Sequence, residues 1–177
     1  MNKNYYEIYF SNFKKVLNKL ELNKLNLLFN KIKKAKKNKI LIFGNGAGAS
    51  IASHFANDLT NVAKIKTISF DNSAQITCFA NDYGYENWVK KTIEYYANKN
   101  DLVIFLSASG NSKNMINAAR YCKIKKISFF SITGFKKKNK LNQESPSFFW
   151  INSSSYNVVE AIQLLGLLSI VDRLAIK

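Results

Sequence analysis

The chain is predicted to fold as an α/β domain, a doubly wound five-stranded parallel sheet preceded by a helical extension. Short apolar runs at residues 39–43, 65–70, 102–106, 127–131 and 148–151 alternate with segments of helical periodicity. Strands that are apolar throughout, rather than at every second residue, belong to a sheet covered by helices on both faces. Glycines or hydroxyl residues follow most of these runs, where a ligand-binding α/β fold places its loops. The length of 177 residues suits one domain whose core needs no disulfide or metal staple.

Taken in order, residues 5–37 carry Ile8, Phe13, Val16, Leu17, Leu20, Leu25, Leu28 and Ile32 at helical spacing. They read as one long helix or as two broken near residues 22–26, and residues 1–37 are assigned as an extension used in oligomerisation, with 38–177 as the binding domain. The first strand runs into Gly44, and helical periodicity resumes over 49–59. After the second strand come helices at 73–80 and 85–97; after the third, one at 112–122. Residues 135–146 lack periodicity and crowd lysines at their start, so they read as a solvated loop with at most a helical turn. A final helix, 156–174, is apolar on nearly all sides.

The formal charge of +16 comes from 27 Lys and Arg against 11 Asp and Glu. Such a surplus attracts polyanions, but only Arg120 and Arg173 are arginines, and lysine lacks the rigid fork that reads base edges, so no specific nucleic-acid partner is expected. Cys78 and Cys122 form neither a CxxC pair nor a secreted framework and suit a reducing cytoplasm. No apolar run approaches the ~20 residues that cross a bilayer, and residues 1–10 lack the apolar core of a signal peptide. A cytoplasmic location without membrane contact is the expectation.

Two loops should carry the chemistry. Gly44, Asn45, Gly46, Ala47 and Gly48 lie between a strand and a helix start, where backbone N–H groups and the helix dipole favour an anion. The spacing is not GxGxxG, and a plain strand-to-helix turn remains the alternative. Ser107, Ala108, Ser109, Gly110, Asn111 and Ser112 set three hydroxyls, an amide and a glycine between a buried strand and a helix start, a nest of neutral donors aimed at an anion. Helix capping explains one of these residues, but not four. No Gly-Lys-Ser or Gly-Lys-Thr follows, so a phosphate monoester is a simpler ligand than a nucleotide. Thr133 and Ser153 to Ser155, at the ends of the fourth and fifth strands, are turn residues or further ligand contacts.

On these segments, GNGAGASIASHFANDLT from Gly44, FDNSAQITCFANDYGYENW from Phe70, SASGNS from Ser107, SITG from Ser131 and VVEAIQLLG from Val158, the chain resembles the SIS (sugar isomerase) domain superfamily. Within it, these segments resemble the phosphoheptose isomerases. The resemblance implies a flavodoxin-like three-layer sandwich and a homo-oligomer, a tetramer or sometimes a dimer, with sites at subunit borders. It implies that Ser107, Ser109 and Ser112, with the Ala108 and Gly110 backbone, hold a phosphate. Asn45, Gly46, Asp71 and Ser153 would contact the sugar, and residues 82–84 match a signature at the site rim.

The departures concern catalysis. Where the family has His-Phe-Ala-x-Glu, this chain has His54, Phe55, Ala56, Asn57 and Asp58, so the catalytic glutamate is one methylene shorter. Where the last helix of the family carries Gln-Glu and, seven residues after that Glu, a His, this chain has Val159, Glu160 and Leu167. Ala47 and Gly48 replace a Gly-Ser pair of the first loop. No cofactor is expected to be required; zinc, for which His54 and Asp58 are the candidate ligands, is disfavoured by Val159 and Leu167. Asp58, His54 and Glu160 remain the catalytic candidates. Each has a structural alternative: Asp58 as helix solvation, Glu160 paired with a lysine, His54 as a buried hydrogen-bonder. The function implied is isomerisation of sedoheptulose 7-phosphate to D-glycero-D-manno-heptose 7-phosphate for lipopolysaccharide or capsule, or else a noncatalytic SIS protein that keeps the pocket.

Overall fold

The computed structural model describes residues 4–176; positions 1–3 and 177, which the bounds 1–37 and 38–177 include, lie outside the described residues. Helices α1 (Tyr5–Leu17) and α2 (Leu22–Lys34) and a 3₁₀ turn precede β1 (Ile40–Gly44), α3 (Ala47–Asn61) and β2 (Thr67–Ser69). Then come α4 (Ser73–Tyr83), α5 (Trp88–Tyr96), β3 (Leu102–Ser107), α6 (Lys113–Lys125), β4 (Ser128–Thr133), α7 (Lys140–Glu144), β5 (Phe148–Trp150) and α8 (Tyr156–Ala175). All five strands are parallel, in the order β2-β1-β3-β4-β5. The order reverses between β1 and β3, so the crevice for a ligand lies beyond the carboxyl ends of those two strands.

The central strands β1, β3 and β4 are buried on both faces, whereas β2 at the edge is not, and alternate side chains enter two separate cores. Ile40, Ile42, Leu102, Ile104, Leu106, Phe130 and Ile132 meet α2, α3 and α8. Leu41, Phe43, Val103, Phe105 and Phe129 meet the helices of the other face. A sheet sandwiched in this way needs an apolar residue at every strand position, which explains the unbroken runs in the sequence. Burial pushes the Cys122 thiol up to about 12, so it is an inert core residue.

Two expectations are corrected. The helical break falls at residues 18–21, ahead of 22–26: Asn18 closes α1 by donating its N–H to the Lys14 carbonyl, and Leu22 already begins α2. Asparagine competes with the backbone of a helix interior and so favours its end. Residues 135–146 are not a solvated loop. They contain α7, capped by Asn139 through the Asn142 N–H, and they bury Asn139, Leu141, Asn142 and Ser145. These polar side chains look soluble in sequence but are bonded internally.

Glu144 ties α7 to α6 through Arg120 (2.9 Å) and Lys123 (3.3 Å). The hydrogen bond from Arg120, then that from Lys123, hold its carboxyl below the ordinary range. A depressed carboxylate stabilises the fold above its unfolded pKa, and that stabilisation is lost as pH falls through the folded value. Glu144→Gln should therefore lower Tm slightly at neutral pH and flatten its fall on acidification, measured by thermal melts across the carboxylate range; the effect is small because the cations are exposed.

Helix α1 buries no residue completely. Tyr9, Phe13, Val16 and Leu17 rest on the first core, whereas Tyr5, Tyr6, Ile8 and Phe10 stay exposed on its other side. Among the described residues no helix is long and apolar enough to cross a membrane.

Candidate functional site

At the carboxyl ends of β1 and β3, two turns face each other across the point of strand reversal. The first is forced by glycine: a Cβ on Gly44 would overlap the Gly48 backbone, so only glycine lets β1 turn directly into α3. The second, the 107–112 loop, closes on itself. Gly110 N–H donates to the Ser107 carbonyl (3.1 Å) and to Ser107 Oγ (3.2 Å), and Asn111 N–H donates to Ser109 Oγ (3.2 Å). Ser112 occupies the N-cap of α6, yet its hydroxyl makes no capping bond. The helix opens toward the loop with no cap from Ser112; of its first N–H groups, that of Met115 is taken by Asn114 Oδ1, and the end of the helix is a favourable environment for an anion.

Neighbouring elements hold this loop from behind. The Ala108 carbonyl accepts from Gly134 N–H (2.8 Å), and the Gly110 carbonyl from Leu141 N–H (2.9 Å). Asn139 Nδ2 donates to Thr133 Oγ1, and Thr133 Oγ1 in turn donates to Asn142 Oδ1. Thr133 is thus fully buried in structural bonding. Gly110 adopts φ +64°, and a Cβ there would fall on the Asn139 side chain.

The cavity in front of the loop, about 120 Å³, is lined by Asn45, Gly48, Ser107, Ala108, Ser109, Ser112 and, from α8, by Tyr156, Glu160 and Gln163. That volume holds about four waters, the size of a phosphate group with part of its carrier. Glu160 lines this cavity and, among the described residues, has no lysine or arginine partner, so the ion pair read as its alternative role is not formed.

Other sequence candidates lie apart from this lining. Gly46, at φ +56°, is exposed beside it. Asp71 is exposed beyond β2. Ser153 Oγ accepts from Ser155 N–H in the turn before α8. His54 is exposed, not buried, and its Nε2 lies 3.3 Å from Asp58 Oδ2 across one turn of α3. Asp58 sits eleven residues after the first residue of α3, about 16 Å along the axis. Within one chain, the carboxylate of this pair and the 107–112 loop occupy opposite ends of the same helix.

Three contributing residues were not singled out from sequence. Asn114, 1 % exposed, exchanges amide bonds with Asn45 (2.9 and 3.1 Å) and accepts from Met115 N–H. It fixes which way Asn45 points. Gln163, also buried, donates Nε2 to the Ile132 carbonyl (3.0 Å), which leaves its amide oxygen as the acceptor it can offer the cavity. As an amide set among apolar residues in the middle of α8, three residues after Glu160, it carried a readable signal; Tyr156, one turn before Glu160, carried none. Asn114→Ala should lower Tm by several degrees, because it strands a buried N–H, and should weaken ligand binding about tenfold by freeing Asn45. Calorimetric titration beside a thermal melt checks both.

Within one chain, the described residues that line the cavity offer zinc a carboxylate, Glu160, and no histidine or thiolate. Among the described residues no three His, Cys, Asp or Glu side chains gather at one point. Val159 packs against Gly134, and Leu167 is fully buried in the first core.

The profile of the family described as SIS domain matches residues 8–134. The phosphoheptose isomerase of Helicobacter pylori (strain P12) is 43% identical over 103 residues, 54% of this chain and 53% of that enzyme. The chain thus spans about half the length of the curated relatives it matches. Among solved structures, the phosphoheptose isomerase of Neisseria gonorrhoeae superposes with a TM-score of 0.88 at 19% identity, covering 95% of this chain and 96% of that one. The Vibrio vulnificus NanR protein, complexed with ManNAc-6P, superposes with a TM-score of 0.70 at 17% identity over 92% of this chain and 57% of that one. These two structural likenesses are likenesses of fold.

Proposed function

This chain belongs to the SIS-domain family, and from that premise we propose that it binds a phosphorylated sugar at the 107–112 loop and isomerises it between aldose and ketose. The observation that carries the reading is a cavity of phosphate size that Ser107, Ser109 and Ser112 line together with Glu160. Phosphate would sit on the hydroxyls and the α6 N–H groups; a carboxylate is repelled by phosphate, so Glu160 would meet the sugar hydroxyls. The identity with phosphoheptose isomerases supports a seven-carbon substrate, sedoheptulose 7-phosphate, with D-glycero-D-manno-heptose 7-phosphate as product, and a place in lipopolysaccharide or capsule synthesis.

Isomerisation through an enediol needs a base for the C–H proton beside the carbonyl and a group that moves protons on the oxygens. Asp58 is the proposed base and His54, 3.3 Å away, its proton partner. Because Asp58 is far along α3 from its own chain's loop, this reading requires that a neighbouring subunit supply it. Homo-oligomerisation as a tetramer belongs to the same proposal, with the extension at residues 1–37 as its contact. The exposed Tyr5, Tyr6, Ile8 and Phe10 support that contact.

A second reading, a noncatalytic phosphosugar-binding protein, is favoured by one observation: Leu167, where the family carries histidine, is buried and cannot move a proton. Both readings share the binding site. Ser109→Ala should weaken sedoheptulose 7-phosphate binding by about 1–3 kcal/mol, because a desolvated anion loses a donor. Unchanged calorimetric affinity in a folded variant would remove the site from both readings.

A further inference from the structure

A larger cleft, about 540 Å³, lies at the opposite end of the sheet, against the first residues of β3 and β4 and the carboxyl ends of α2 and α6. Its size falls in the range of small-ligand sites. Lys31, Lys34, Lys99, Lys123 and Lys126 line it. Glu144 pairs with Lys123; the other four have no carboxylate within 4.0 Å among the described residues.

The one carboxylate in the cleft, Asp101, is fully engaged. It accepts from Lys39 Nζ (2.6 Å), Lys39 N–H (3.0 Å) and Asn98 N–H (2.6 Å), and is 2 % exposed. Burial, and next the charge of Lys34, hold the Lys31 ammonium below the usual lysine range, as befits a cation short of counter-charge. Lysines at a helix carboxyl end also favour the helix dipole, which accounts for Lys31, Lys34, Lys123 and the C-cap Lys126 but not for Lys99 on its loop.

We propose that this cleft binds a small oligophosphate, a free anion of two or more linked phosphate groups. Four unneutralised ammonium groups match several negative charges close together. Asn38, Asn100 and Ser128 add neutral hydrogen-bonding groups for the remaining oxygens. No aromatic ring and no arginine lines the cleft, so nothing there stacks a base or grips one phosphate with a fork, which favours a compact polyanion over a nucleic acid. The cleft stands apart from the 107–112 loop, and its occupant is independent of the phosphosugar reading.

The experiment is calorimetric titration of the full chain with sodium tripolyphosphate at near-physiological salt. It compares wild type with Lys31→Gln/Lys34→Gln, with Lys99→Gln and with Lys36→Gln/Lys37→Gln, whose exposed lysines lie outside the lining. One saturating site is expected, weakened about tenfold or more by each cleft variant and less than about twofold by the control. Melting curves accompany the titrations, and Lys99→Gln, on an exposed loop, keeps the test valid if the helix variant unfolds. The proposal is overturned by equal weakening in the control, which would signify attraction to net charge. It also fails if no site saturates, if Ser109→Ala abolishes the binding, or if duplex DNA displaces tripolyphosphate with the same lysine dependence.

Discussion

Asp58→Asn should lower kcat/KM for sedoheptulose 7-phosphate by about 10²-fold or more and abolish deuterium uptake at the carbon beside the carbonyl, while sugar binding changes little. The amide keeps the shape of the carboxylate and loses its basicity. Wild-type turnover should itself be slow: the shorter side chain sets the base back by about an ångström, which can cost ~10²-fold, and Leu167 replaces a proton-transferring histidine. His54→Ala should reduce the rate by less than Asp58→Asn, since the imidazole assists the carboxylate 3.3 Å away. Turnover in deuterated water, followed by NMR, measures all of these. Wild-type binding without exchange would transfer the chain to the noncatalytic reading; undiminished exchange in Asp58→Asn would remove Asp58 from the mechanism.

Gly110→Ala should disable ligand binding and destabilise the fold together. Two effects add at this position. A non-glycine residue held at φ +64° carries strain of about 1–3 kcal/mol, and the new Cβ would overlap the Asn139 side chain, an overpacking that costs a similar amount. Asn139 cannot withdraw cheaply, since its amide bonds Thr133 Oγ1 and the Lys136 carbonyl while its oxygen caps α7. Loss of α7 packing would also release the Leu141 N–H that holds the loop. The expected outcome is a drop in Tm of roughly 5–20 °C with no measurable sugar binding in the remaining folded protein. A variant that melts and binds like wild type would show that Asn139 does not brace the loop.

The sheet and most helices were legible because burial on both faces leaves a nearly unbroken apolar signature in β1 and β3 and a weaker one in β4, which Ser131 interrupts. The 107–112 loop was legible for a related reason: small hydroxyl residues directly after a buried strand have little to do but turn or bind. What escaped is polar and buried. Asn114, Asn139, Asn142 and Gln163 satisfy one another or the backbone inside the protein, and hydrophobic periodicity assigns such residues to solvent. The same blindness made residues 135–146 read as solvated: the helical turn allowed there is α7, but its burial was not foreseen. His54 shows the converse, for a histidine on a largely apolar helix could be read as buried, yet it stands exposed beside Asp58. Sequence spacing placed that pair on one face of α3, but only the helix length shows how far it lies from its own serine loop.

The central claim, a phosphosugar site on the 107–112 loop, is tested most directly by a crystal structure of the protein soaked with sedoheptulose 7-phosphate. The phosphate should lie within hydrogen-bonding distance of Ser109 Oγ and the first N–H groups of α6, with the sugar chain running between Asn45 and Glu160. Phosphate density at any other place, with the serine loop vacant at saturating sugar, would contradict it.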